Sequence, residues 1–139
     1  MTGGDGDRPE GADILVPISP GELVDKITIL EIKAERIADP DKRANVRREL
    51  DLLRATRDAA LAATPALDAL ARELCAVNET LWVIEDDIRD CERKGEFDSA
   101  FVALARAVYT TNDKRAALKR RINELLGADL VEEKSYAPY

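Results

Sequence analysis

The sequence predicts an all-α protein, built as an antiparallel four-helix bundle or as two helical hairpins. Over two long stretches, apolar or small residues recur at alternating spacings of three and four, which is typical of helices that present one seam to a partner. The first series is Leu67, Leu70, Leu74, Val77, Leu81, Ile84, Ile88 and Cys91, and the second is Phe97, Phe101, Leu104, Val108, Thr111, Arg115, Leu118, Ile122 and Leu125. Aromatic residues make up only 4% of the chain, which favours long helices over sheets.

The first two helices have clear local signals at their ends. Ser19-Pro20 opens the first helix, because serine caps a helix well and proline suits its first position. Glu22 adds the acidic residue of a capping box. This helix is expected to stop near Ala38, since Pro40 disfavours helical geometry in the residue before it. Pro40 then opens the second helix in the same way.

The third and fourth helices are predicted to be the long ones. A third cap followed by proline, Thr64-Pro65, begins the third helix, which is expected to run to about Arg93. Gly95 interrupts the pattern, and the fourth helix begins at 97–98. It is expected to close at Gly127, because glycine accepts the left-handed conformation that follows many helices. Short connections of this kind imply antiparallel neighbours.

The chain divides into three parts. Residues 1–13 are rich in glycine and aspartate and are predicted to be disordered. The helical bundle occupies residues 14–127, and residues 128–139 are expected to form an extended tail. A length of 139 residues fits one domain with one real core.

Composition excludes several function classes. The formal net charge of −7 argues against a nucleic-acid partner, because phosphate binding needs an accessible basic face. With no histidine, His-based acid–base chemistry and imidazole metal sites are excluded. The N-terminus lacks a signal-peptide pattern and no apolar stretch is long enough to span a bilayer, so we expect a cytoplasmic protein without a membrane partner.

The two cysteines are not expected to form a disulfide with each other. Cys75 and Cys91 lie on the same predicted helix, which places them roughly 24 Å apart at 1.5 Å per residue. A disulfide requires Cα atoms within about 7 Å. Both are interpreted as small core residues.

Thr111 and Arg115 interrupt the second seam, and that interruption is the best indication of something beyond packing. Polar and aromatic residues on the first, third and fourth helices share faces near this level and form the candidate ligand site or polar layer. These candidates are Asp25, Lys26, Glu31, Asn78, Trp82, Glu85, Tyr109, Thr111, Asn112, Asp113, Arg115 and Lys119.

Three interpretations of these residues stay open. They could form a hydrogen-bonded layer that fixes helix register and oligomeric state, as single polar core residues do in coiled coils. They could instead line a pocket that binds a small anion through Arg115 and Lys119, with Trp82 and Tyr109 as walls. In the third interpretation the side chains simply face solvent.

No catalytic set, metal site or cofactor is predicted. Glu22/Asp25 and Asp87/Asp90 are carboxylate pairs at a spacing that could hold Mg²⁺. Helical nucleotide pyrophosphatases use an E-x-x-E pair, however, and the chain has none. Surface acidity is the preferred interpretation of these pairs.

The tail after the last helix is a candidate partner contact. It combines apolar, charged and aromatic residues, which a purely disordered tail does not need. We expect it to pack across the bundle or to dock onto a neighbouring subunit, with fraying as the alternative. The candidate contact residues are Glu132, Glu133, Lys134, Ser135 and Tyr136.

Five stretches distributed over residues 14–136 carry a resemblance to a known family. They are Ser19-Pro20-Gly21-Glu22-Leu23-Val24-Asp25-Lys26-Ile27, Ile29-Leu30-Glu31-Ile32-Lys33, Leu81-Trp82-Val83-Ile84-Glu85-Asp86, Tyr109-Thr110-Thr111-Asn112-Asp113-Lys114-Arg115-Ala116 and Glu132-Glu133-Lys134-Ser135-Tyr136. Through them the chain resembles a family of small, uncharacterised bacterial all-helical proteins known only as a domain of unknown function. That resemblance implies no activity.

Continuous seams without a catalytic set favour a non-enzymatic helical protein that self-associates or binds a partner protein. The alternative is a binding protein or enzyme for a small anionic ligand, acting through a polar pocket between helices. Whether the protein is an enzyme is left open, with the non-enzymatic interpretation preferred.

Overall fold

The computed structural model describes residues 12–130 and 132–139. Four α-helices follow one another: α1 Pro20–Arg36, α2 Pro40–Ala60, α3 Pro65–Lys94 and α4 Ser99–Leu125. The described residues contain no β-strand. The prediction of an all-α fold is therefore confirmed. The N-terminal segment predicted to be disordered lies, for residues 1–11, outside the described residues.

The helix starts lie where the sequence predicted them. The Ser19 hydroxyl accepts a hydrogen bond from the Glu22 backbone N–H, at 3.1 Å. Asp39 and Thr64 cap α2 and α3 in the same way, each followed by proline. For α4 the cap is Asp98, and its carboxylate accepts from the backbone N–H of residue 100.

The helix ends differ by a few residues from the prediction. α1 stops at Arg36 rather than near Ala38, because Ile37 already adopts an extended backbone. α4 stops at Leu125, and Gly127 follows in the left-handed region with φ of 63°. Gly95 has φ of 68° after α3, as a left-handed cap requires.

α1 is the central helix, because it packs against each of the other three. α3 and α4 form the long hairpin, whereas α2 packs against α1 alone. The apolar core has two parts on opposite sides of α1. One consists of Val24, Leu67, Leu70, Leu74, Leu118 and Ile122, and the other of Leu23, Ile27, Leu30 and Leu50.

The start of α1 lies very close to the end of α4. The Gly21 backbone N–H donates to Oδ1 of Asn123 at 2.7 Å. A Cβ atom at position 21 would lie 2.4 Å from the carbonyl oxygen of Lys119, so only glycine fits there without movement. This contact fixes how the two helix ends meet.

The outer part of the α3–α4 hairpin is poorly covered. We call residues 85–110 the distal hairpin, and no side chain in it is buried. Phe97 and Val102 are 55% and 51% exposed. The Phe97 and Phe101 rings pack edge to face, with centroids 5.2 Å apart. The predicted apolar seam thus continues into a region where only two helices are present.

An extended arm of residues 12–18 precedes α1. Its Ile14 and Leu15 side chains are 87% and 91% exposed. Cys75 and Cys91 are half-buried free thiols, and both lie on the continuous helix α3. Among the described helices, none combines the length and the apolar character that crossing a membrane requires.

Candidate functional site

Asp25 lies at the centre of a buried polar layer that joins three helices. Its side chain is fully buried, and Oδ1 accepts hydrogen bonds from Nδ2 of Asn78 and Nε of Arg115, both at 2.9 Å. Oδ2 accepts from Nη2 of Arg115 at 2.5 Å. Arg115 therefore meets the carboxylate along one edge of its guanidinium with two parallel bonds, which is the strong geometry for this pair.

Thr28 completes this layer, although the sequence did not single it out. Its hydroxyl donates to the backbone carbonyl of Asp25 at 2.8 Å and accepts from Nδ2 of Asn78 at 2.9 Å. The hydrogen bonds to Asp25 raise the pKa of the Arg115 guanidinium above its ordinary value. The Arg115 guanidinium is thus fixed in one orientation against the Asp25 carboxylate.

Lys119 is the centre of a second, adjoining cluster. Its ammonium lies 3.0 Å from Oε1 of Glu22 on α1 and 2.7 Å from Oε1 of Glu132 in the tail. Burial alone would lower the pKa of this ammonium, but the hydrogen bonds to Glu132 and Glu22 outweigh that cost and raise it. Lys119 is buried, and an unpaired ammonium is costly in a buried position. These two carboxylates offset that cost.

The remaining candidates on α1 and α3 lie away from the layer. Lys26 is exposed, and Glu31 pairs instead with Arg54 of α2, at 2.8 Å. Glu85 forms an ion pair with Arg89 one turn along α3. Helix geometry explains this spread, because residues one and six positions from Asp25 point to other faces of α1.

On α4, the candidates divide between a buried and an open face. Thr111 is buried one turn before Arg115, whereas Asn112 and Asp113 are half-buried. Asp113 faces the tail: it accepts from Nζ of Lys134 at 3.1 Å and from the Tyr139 hydroxyl at 2.5 Å. The bonds from Tyr139 and Lys134 lower the pKa of the Asp113 carboxyl.

The tail folds back along α4. Besides the Glu132–Lys119 pair, Arg120 lies 3.4 Å from the Glu133 carboxylate. The Tyr139 and Tyr109 rings pack edge to face with centroids 5.1 Å apart. Ser135 and Tyr136 are exposed, and the Lys134 ammonium lies 5.6 Å from the centre of the Tyr136 ring. The tail thus packs across the helices, which is one of the two arrangements expected for it.

Two open clefts flank Arg115 and Asn112. The tail cleft, between α4 and the tail, has a volume of about 780 Å³. The tryptophan cleft, between α1, α3 and α4, measures about 480 Å³ and contains Trp82. Trp82 and Tyr109 therefore line different clefts, although the sequence suggested them as walls of one pocket.

In the described part of the chain, no group of three acidic or cysteine residues is arranged to hold a metal ion. The carboxylates of the two clusters are paired with Arg115 and Lys119 instead. Sequence reasoning did not foresee Gly21, Thr28 and Asn123 as parts of these contacts. Only the Ser-Pro-Gly-Glu stretch gave a signal, and it indicated a helix start rather than a close approach.

A family model described as a family of unknown function (DUF6165) matches residues 14–138. The match spans most of the sequence, so the chain belongs to this family. No curated protein and no solved structure matches the chain.

Proposed function

Starting from membership in a family that supplies no function, we propose that the protein is a non-enzymatic helical protein that acts by assembly. Two copies join through the distal hairpin, residues 85–110. The observation that carries this proposal is the uncovered seam: the three-and-four spacing of apolar residues continues through a segment in which no side chain is buried.

Two helices alone cannot cover this seam. Ile88, Phe101 and Leu104 remain half-buried, and Phe97 and Val102 expose more than half of their surface. A stable helical arrangement buries such a stripe against further helices. A second hairpin laid across the first would supply them, with coiled-coil packing between the two copies.

Charge favours a second copy as the occupant of this surface. Asp86 and Asp87 on α3 have no ion-pair partner within residues 12–130 and 132–139, and neither has Arg106 on α4. In an antiparallel pair related by a two-fold axis, these two carboxylates of one copy can face Arg106 of the other. Because the two copies are identical, the two-fold axis repeats each contact between opposite charges, so the contact forms twice in the dimer.

The buried layer around Asp25 supports this proposal from inside the molecule. The Asn78 amide donates to both the Asp25 carboxylate and the Thr28 hydroxyl, Thr28 donates to the backbone carbonyl of Asp25, and Arg115 donates to the carboxylate. Such a paired layer suits the role of fixing helix register, which keeps the distal hairpin in one orientation.

Sedimentation velocity over a micromolar concentration series tests the proposal. We expect the native chain to dimerise and Val102→Glu to stay monomeric, because Val102 lies beside the seam and the new charge would be buried between the two copies. Leu52→Glu is the matched control, since Leu52 is 56% exposed on α2, away from the hairpin. A native chain that stays monomeric throughout the series would contradict the proposal, and so would equal effects of the two variants.

We further infer a bacterial, cytoplasmic setting for this assembly. The resemblance to small bacterial helical proteins supports the first part, and the two free thiols, Cys75 and Cys91, support a reducing compartment. Recovery of the native protein in the periplasmic fraction of its host would overturn this setting.

A further inference from the structure

The tail cleft is the feature that assembly through the distal hairpin leaves unused. Its volume of about 780 Å³ lies within the range of small-molecule sites. One wall is α4 and the other is the tail. The lining combines three tyrosines with three cations: Tyr109, Tyr136, Tyr139, Arg115, Lys119 and Lys134.

Arg115 lines this cleft and has a free hydrogen-bonding edge. Its Nε and Nη2 atoms donate to Asp25, and no residue in the described ranges accepts from Nη1. The side chain is 29% exposed, while its partner carboxylate is 1% exposed. A buried partner therefore orients the guanidinium from behind. The outer edge, with one N–H on each terminal nitrogen, matches the two oxygens of a carboxylate or phosphate.

The tyrosines supply flat apolar surface beside that edge. The Tyr109 and Tyr139 rings support each other edge to face, and the Tyr139 hydroxyl is anchored on Asp113. Aromatic faces of this kind bind planar or ring-shaped bodies. A ligand that fits both the Arg115 edge and the tyrosine rings therefore carries a negatively charged oxygen group on a ring.

Local charge limits how much negative charge the ligand can carry. Around the cleft, three cations face four carboxylates, so a doubly charged phosphate would be repelled more strongly than a singly charged carboxylate. A single carboxylate needs only the free edge of one guanidinium. The groups are Arg115, Lys119 and Lys134 against Glu22, Asp25, Asp113 and Glu132.

We propose that the tail cleft binds a small ring compound with one carboxylate group, held by the outer edge of Arg115 and enclosed by Tyr109 and Tyr139. The cleft shares only Val108 and Tyr109 with the base of the distal hairpin, and Arg115 lies outside the hairpin. Val102→Glu and Arg115→Lys therefore separate assembly from ligand binding.

An NMR titration of the full-length, isotope-labelled protein with benzoate tests this site. We expect saturable shifts at the Asn112 side-chain amide and the Tyr139 ring, which both line the cleft. Benzamide, which lacks the charge, is expected to produce no such shifts, and phenyl phosphate is expected to bind more weakly than benzoate. Tighter binding of phenyl phosphate would overturn the single-charge assignment, and absence of benzoate binding would overturn the site.

Arg115→Lys isolates the recognition step. Lysine keeps a positive charge beside Asp25 but removes the paired N–H groups of the outer edge, so benzoate affinity should fall about tenfold. The matched control is Lys114→Ala, an exposed cation on the same helix that does not line the cleft. Benzoate affinity that is unchanged in Arg115→Lys, or reduced equally in the control, would contradict the proposal.

A second variant keeps the test valid if Arg115→Lys does not fold. Tyr109 is 43% exposed, so Tyr109→Ala removes a wall of the cleft with little cost to the core. We expect it to weaken benzoate binding while the circular dichroism spectrum stays native. If folded Tyr109→Ala binds benzoate as tightly as the native protein, Tyr109 does not enclose the ring of the ligand and the proposal is contradicted.

Discussion

Three helices converge on the Asp25 carboxylate. α1 supplies the residue itself, α3 supplies Asn78, and α4 supplies Arg115. A buried carboxylate without partners is strongly destabilising, and a buried cation is likewise costly when its partner is removed. The geometry of this one group therefore couples the positions of all three helices.

Asp25→Ala tests that coupling. The change leaves Arg115 and the Asn78 amide without their acceptor, so we expect a loss of about 3–5 kcal/mol in the free energy of unfolding. Chemical denaturation measures it, with Asp51→Ala as a control on the exposed surface of α2, away from the distal hairpin. The control should change stability by no more than about 0.5 kcal/mol. Equal effects of the two variants would contradict a structural role for Asp25.

Gly21→Ala tests the close approach of α1 and α4. An added methyl group would lie 2.4 Å from a backbone carbonyl oxygen, so the helix ends must separate. We expect a loss of about 1–3 kcal/mol, as for other overpacked positions. Gly127→Asn is the comparison, because nothing lies within 4 Å of its Cβ position and asparagine tolerates a positive φ. Thermal unfolding that ranks Gly127→Asn as the more damaging change would contradict this interpretation.

The residues of the polar layer were partly predictable. Arg115 and Thr111 interrupt an apolar series, and Asn78 lies beside the facing series, so a polar layer was one of three interpretations that the spacing allowed. Spacing could not identify Asp25, rather than Lys26 or Glu31, as the buried charged residue of α1. The sequence of an isolated helix does not show which of its polar faces other helices will cover. The choice depends on which face of α1 meets α3 and α4, and that is a property of the assembled fold.

At the scale of elements, the tail depends on charged and hydrogen-bonded groups. Glu132 accepts from Lys119, and the Tyr139 hydroxyl donates to Asp113. Hydrogen bonds to Glu132 and Glu22 raise the pKa of Lys119 against the opposing effect of burial, and the bond to Asp113 raises the pKa of Tyr139. Donors with raised pKa values stabilise the folded state fully below their ordinary values and lose that contribution as pH rises past the folded ones.

We therefore expect the tail to stay attached at neutral pH and to detach above about pH 10, where both donors begin to lose their protons. Its contacts should also weaken in acid, because the pKa of Asp113 is lowered and its contribution is lost as pH falls through the folded value. The methyl resonance of Ala137, followed by NMR against pH, reports this change. Detachment between pH 7 and 9 would show that other contacts, with other titration ranges, hold the tail.

Helix starts were more predictable than helix ends. Ser19, Asp39 and Thr64 each precede proline, and cap and first turn are decided within four residues of sequence. No glycine marks the end of α1. The helix stops at Arg36, before the residue whose backbone Pro40 restricts. The ends of α3 and α4 were marked by glycines and were close to prediction.

At the scale of the whole molecule, the pattern of apolar residues predicted four helices but not which one is central. All four carry a seam, and seams alone do not distinguish a helix with three neighbours from one with a single neighbour. The structure places α1 in the centre and α2 on one side of it. The same lack of a third neighbour leaves the distal hairpin uncovered, and this feature underlies the proposed assembly.

The most direct test of that assembly is an NMR experiment on a mixture of labelled and unlabelled protein, filtered for contacts between copies. The account predicts intermolecular contacts from the Val102 methyl groups and the Phe97 ring. A spectrum with no intermolecular contacts at high concentration would contradict it. So would contacts confined to Leu52 of α2 or to the Ile14–Leu15 arm.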